Sequence, residues 1–161
     1  WSSDVCSSDL TTWLMIIFIF TSCGRDEFKP YDTPFIRIMK KELNSVTVSE
    51  AGNLIDEYLI CLSSAPLSTP LEVTYSIEVG DGLTAGVDYE FLTPGNKVVF
   101  PTGVYDMPIR VRWIANPIDI TKNNTMTITL VSTNNPDVVI GMPGPDHFQR
   151  QMVITKVKAN D

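Results

Sequence analysis

The sequence predicts an all-β fold, a sandwich or barrel of short strands, and three observations predict it. Apolar and polar residues alternate with period two in several stretches, as in Leu71–Val79, where Val73, Tyr75, Ile77 and Val79 oppose Glu72, Thr74, Ser76 and Glu78. Turn-forming residues divide these stretches at roughly 8–12-residue spacing, the rhythm of sandwiches and barrels. The breakers are Pro66, Pro70, Gly80-Asp81-Gly82, Pro94-Gly95, Pro101 to Gly103, Asn116-Pro117 and Gly141 to Pro145. No segment between them shows an amphipathic helical period.

Taken in order, Pro34–Met39 carries Phe35, Ile36 and Ile38, and Ser45–Ser49 alternates through Val46 and Val48. Leu54–Leu62 is a longer apolar run; a helix would also fit it, but its β-rich neighbours favour a strand. Leu71–Val79 follows, then the short Lys97–Phe100. In Met107–Ala115, Ile109, Val111 and Trp113 oppose Arg110 and Arg112, which assigns Trp113 to the core. Thr125–Val131 sets Met126, Ile128 and Leu130 against three threonines, and Phe148–Val157 is the last strand. Residues 34–158, about 125 in number, suffice for one two-sheet core. Cys61 lies within an apolar run without basic neighbours, so a small buried hydrophobe is expected there rather than a reactive thiol.

The N-terminal part has a different composition. Trp13 to Phe20 reads WLMIIFIF, too short for the ~20 residues that span a bilayer and suited to the apolar region of a secretory signal. Phe20-Thr21-Ser22-Cys23-Gly24 follows and resembles the lipobox of bacterial lipoproteins. That resemblance implies that residues 11–22 are a truncated signal peptide, that Cys23 is lipidated, and that residues 23–33 are a tether. Gly24-Arg25-Asp26-Glu27 is similar to the surface-export signal of Bacteroidota lipoproteins, which implies an outer-membrane anchor facing the cell exterior. Residues 1–10, WSSDVCSSDL, lack the expected Met and basic residues and resemble a sequencing adapter translated in frame. With Cys6 in that stretch and Cys23 lipidated, Cys61 is left without a partner for an intrachain disulfide.

Charge and motifs narrow the function. The 161 residues carry 12 Lys+Arg against 19 Asp+Glu, a net charge of −7, which argues against nucleic acid. One histidine excludes any site that needs two, and no G-x-S-x-G or phosphate-cradling glycine loop is present. His147 falls in a loop, and Asp56-Glu57, adjacent in a strand, must point to opposite faces and cannot converge on a glycosidic bond. No enzyme is expected.

Ser45–Gly52 reads SVTVSEAG, Gly82–Tyr89 reads GLTAGVDY, and Lys97–Gly103 reads KVVFPTG ahead of the alternating Met107–Trp113. This order resembles Calx-beta domains over about residues 45–157. The resemblance implies an immunoglobulin-like antiparallel β-sandwich of about seven to eight strands. It also implies a calcium site built from the early Glu, the Asp of the D-Y loop and a later acidic cluster. Glu50 and Asp88 match the first two; the third region offers only Asp119, with Lys122 nearby. Calcium needs six to eight oxygens, so no cofactor is expected, and Asp88 is expected to cap its own loop.

A binding module is the expected class. The candidate ligand-contacting aromatics are Tyr31, Tyr89, Tyr105 and Phe148, on or beside loops. Two roles stand open: an accessory for glycan binding or uptake, and a structural or adhesin-like module that docks a protein by an edge strand or loop. Two coplanar exposed aromatics in one cleft would favour the first, an unprotected apolar edge or patch the second.

Overall fold

In a computed structural model of the chain, residues 33–159 are described. The alternating segments form strands that turn one set of side chains inward. These are β1 (Phe35–Met39), β2 (Ser45–Ser49), β3 (Leu54–Ser63), β4 (Leu71–Val79), β5 (Tyr89–Phe91), β6 (Lys97–Phe100), β7 (Asp106–Trp113), β8 (Thr125–Thr133), β9 (Val139–Ile140) and β10 (Gln151–Val157). They make two five-stranded sheets, ordered β5-β7-β3-β1-β9 and β2-β10-β8-β4-β6. The longest ladders are antiparallel, β3 with β7 and β4 with β8, and a register shift at Thr74/Tyr75 interrupts the second.

The core lies between the sheets. Ile36, Ile38, Ile60, Ile109, Val111 and Trp113 come from one, and Val73, Met126, Ile128, Leu130, Met152 and Ile154 from the other; all are fully buried. Each such side chain stabilises the fold by about 1.5–3 kcal/mol. Outward neighbours form cross-strand ion pairs: Arg110 with Glu57 and Arg112 with Glu90, each at 2.7 Å. Glu57 therefore points outward, while Asp56 is buried on the other face of β3.

The structure departs from the sequence expectations in four places. β5 and β9 have three and two residues, too few for a periodicity to register. Pairing with β7 and with β1 makes strands of them. β9 pairs with β1 and β2 with β10 in parallel, so the sandwich is not wholly antiparallel. The last strand opens at Gln151 rather than Phe148, because His147 (φ 43°) and Gln149 (φ 60°) adopt left-handed backbone that no strand accommodates. Cys61 is half-buried rather than buried: Ile60 and Leu62 on either side face the core, so alternation turns Cys61 outward. Burial still pushes its thiol up to about 12, with the Asp106 contact adding to the effect.

Candidate functional site

The acidic residues that carried the calcium expectation lie in loops joined by hydrogen bonds. Asp88 ends the loop before β5. Its Oδ2 accepts the Thr84 N–H at 2.9 Å, while its own N–H donates to the Thr84 carbonyl at 2.8 Å. Gly86, at φ 79°, supplies the left-handed residue that this tight turn needs. Asp88 Oδ1 accepts Asn116 Nδ2 at 3.0 Å and Lys156 Nζ at 2.8 Å. The Lys156 side chain is completely buried and also donates to the Ile114 carbonyl at 3.0 Å. Burial alone would push the Asp88 carboxyl up; the donors Lys156, Asn116 and Thr84 outweigh it and hold the carboxyl below its ordinary range.

Glu50 sits just after β2. Its Oε2 accepts the Ile118 N–H at 2.9 Å, and its Oε1 accepts the Ala159 N–H at 3.3 Å. The Ile118 bond is the main reason its carboxyl lies below the ordinary range. The Asn116 N–H donates to the Glu50 main-chain carbonyl at 2.9 Å, so Asn116 ties the Glu50 turn to the Asp88 loop. Asp119 Oδ1 accepts both the N–H and the hydroxyl of Thr121, at 2.9 and 2.6 Å, a local turn that holds its carboxyl low.

Among solved structures, the chain is similar to the one titled "Crystal structure of CBD12 from CALX1.2", with a TM-score of 0.53 and 19% identity. The match covers 78% of this chain and 43% of that chain, so this chain spans less than half of that structure. The fold is Calx-beta-like. It is an immunoglobulin-like β-sandwich. No family model matches the chain, and no curated protein does.

In this Calx-beta-like sandwich the donor set does not fit calcium. Glu50, Asp88 and Asp119 turn their oxygens to N–H and O–H groups of the chain itself. A lysine ammonium lies against Asp88, where a cation ligated by that carboxylate would have to sit. Among the described residues, no three carboxylate, cysteine or histidine side chains gather as a metal site would require. Asp88 does cap its own loop.

The sequence reasoning missed Lys156, although a signal for it was present. Met152, Ile154 and Lys156 share one phase of β10, so a lysine stands where the alternation calls for a core residue. It also missed a polar chain within the core. Trp113 Nε1 donates to the Tyr58 hydroxyl at 3.1 Å, which donates to Asp56 Oδ2 at 3.3 Å; Asp56 in turn pairs with Lys40.

The aromatic candidates do not gather. Tyr89 is buried rather than exposed, because β5 turns it inward, with ring centroids 5.4 Å from Phe91 and 6.3 Å from Trp113. Tyr105 borders a small crevice with Phe100 and Pro101. Phe148 is 51% exposed and borders a separate hollow of about 480 Å³ with Asn44, Asp146, His147 and Arg150. Its loop is firmly held. Gln149 is buried, accepts Arg37 Nη1 at 3.0 Å and donates to the Glu42 carbonyl at 2.9 Å. Cys23 and Tyr31 lie outside the described residues.

The four sheet edges differ. β5 and β9 are very short, and β6 has four residues between Pro94-Gly95 and Pro101, with Lys97 paired to Glu72. These are the usual protections of an edge. β2 has five residues, Ser-Val-Thr-Val-Ser, with no charge and no proline. It is the longest edge among the described residues.

Proposed function

We propose that the chain is a non-catalytic binding module that docks a protein partner along the β2 edge, held at the outer-membrane surface by lipid on Cys23. The observation that carries the docking is β2, the longest of the four sheet edges, which has no charge and no proline among its own five residues. The charged groups that could have marked a chemical site are consumed in holding loops together. Support for the anchor comes from the apolar run ending at Ser22-Cys23-Gly24. Several acyl chains, each contributing ~0.8 kcal/mol per buried methylene, hold a protein durably at a membrane.

Cell fractionation and surface proteolysis test the anchor. The protein should fractionate with membranes and be cleaved by protease added to intact cells, and Cys23→Ala should release it into the soluble fraction. Retention of Cys23→Ala in the membrane would remove the anchor from the proposal. For the edge, a benzophenone attached through Thr47→Cys should form a photoadduct on intact cells, and one attached through Val99→Cys on β6 should not. Equal labelling of both edges would remove the special status of β2.

The glycan role draws on one observation, the exposed ring of Phe148 on a rigid loop beside a polar hollow. A glycan array with Phe148→Ala as control tests it. Binding that is lost in Phe148→Ala would favour this role; silence across the array would leave the protein-docking role.

A further inference from the structure

We infer that the occupant of the β2 edge is the β2 strand of a second copy of this chain, paired antiparallel about Thr47. This inference rests on the edge-docking role proposed above and names its partner.

The direction of the backbone groups comes first. The Asn44 carbonyl accepts the Val153 N–H at 2.9 Å, and the Glu50 N–H donates to the Val157 carbonyl at 2.7 Å. Both bonds run to β10. Backbone groups alternate sides along a strand, so Ser45, Thr47 and Ser49 turn their N–H and C=O groups away from β10. The Ser49 carbonyl also accepts the Gly52 N–H at 2.9 Å, which leaves its second lone pair. The side chains of these three residues are exposed, while Val46 and Val48 turn toward the core. A groove of about 440 Å³, bordered by Lys40, Lys41, Leu43, Ser45, Val46 and Thr47, runs along this edge. Leu43 in its wall is 56% exposed.

The sequence of β2 then selects the partner. Ser45-Val46-Thr47-Val48-Ser49 reads the same in both directions. A two-fold dimer requires a surface complementary to itself, with residue i facing j and j facing i. Antiparallel pairing about Thr47 sets Ser45 against Ser49, Val46 against Val48 and Thr47 against Thr47. Each outward N–H then meets an outward C=O. The hydroxyl residues pair on the outer face, where Thr–Thr and Ser–Thr contacts favour cross-strand association. The valines meet on the core side, which extends the apolar layer across the seam. β2 itself carries no charge, so the two paired strands bring no like charges against each other; the charges beside them are Lys40 and Lys41 in the groove wall. The axis passes between the two Thr47 residues. At a hydrogen-bonded antiparallel pair the Cα atoms lie about 5.5 Å apart, within the range that a disulfide spans.

The test uses the full chain in its own membrane. Under mild oxidation, Thr47→Cys should run at twice the chain mass on a non-reducing gel and return to single mass on reduction. Val99→Cys and the parent chain should stay at single mass. Separately tagged copies carrying Ser45→Cys and Ser49→Cys should give the same mixed dimer, a check that does not depend on any one variant folding. The benzophenone on Thr47→Cys should capture the same chain. Capture of a different protein would overturn self-pairing and leave the edge-docking role standing. An adduct within one chain, to residues 1–32, or no adduct at all would overturn both.

Discussion

β2 leads from one kind of chemistry directly into another. Along the strand, the backbone groups of Ser45, Thr47 and Ser49 face away from the sheet, and the strand itself carries no charged side chain. One residue beyond it, Glu50 opens a region in which almost every polar atom is engaged: Glu50 with Ile118, Asp88 with Thr84, Asn116 and Lys156, Asp119 with Thr121. The contrast teaches that acidity in this chain marks structure, while the uncharged strand is the surface we propose for a partner. Buried charge must be paired to be tolerated. An open strand edge is a ready template for pairing with another chain.

The contrast breaks most visibly at Asp88. Asp88→Ala leaves the buried Lys156 ammonium without its carboxylate and should cost about 3–5 kcal/mol in denaturant unfolding. A loss comparable to that of an exposed residue would mean that the pair does not hold the loops. Lys156→Met should cost less, about 1–3 kcal/mol, because Asp88 keeps two N–H donors and the methionine fits the apolar phase of β10. Equal losses in the two variants would show that the ammonium and not the loop cap is the main element.

Acid should expose the same pairing. The Asp88 carboxyl is held below its unfolded value of about 3.9, so its contribution is complete above that pH and is lost as pH falls through the lower folded value. Stability should therefore rise with pH across the acid limb, and Asp88→Asn should flatten that limb in urea titrations read by tryptophan fluorescence. An unchanged slope would assign the acid sensitivity elsewhere.

The edge should behave in the opposite way. Thr47→Lys should shift monomer stability by no more than about 0.5 kcal/mol, because the side chain is exposed and its backbone groups face outward. Its effect should appear in association, since two lysines would meet on the two-fold axis. The smallest effect belongs to calcium. Bound ligand at a hundredfold excess over its Kd stabilises by about 2.7 kcal/mol, and millimolar calcium should produce no rise in Tm here. A clear calcium-dependent rise that is lost in Glu50→Gln or Asp88→Asn would overturn the structural assignment of these carboxylates.

Most of the fold was legible because strands long enough to alternate declare themselves. Leu71–Val79 and residues 125–130 sort their faces residue by residue, and Trp113 falls in phase with Ile109 and Val111. β5 and β9 were not legible, because two or three residues carry no period and pairing alone makes them strands. The Phe148 loop was hidden for a related reason: apolar residues continue through it, while its left-handed backbone comes from contacts with β1 and the Glu42 turn.

By itself the sequence determined which side chains face the core, since alternation follows from covalent geometry and the hydrophobic effect acts on each strand separately. It also determined the uncharged palindrome of β2. Only the tertiary structure decided which strand became an edge, because edges are a property of sheet order. It alone decided what Asp88 faces. Lys156 is 68 residues away along the chain, and the two meet only when β10 packs beneath the loop before β5. The folded chain supplies the Asp88 carboxylate with a cation from its own last strand.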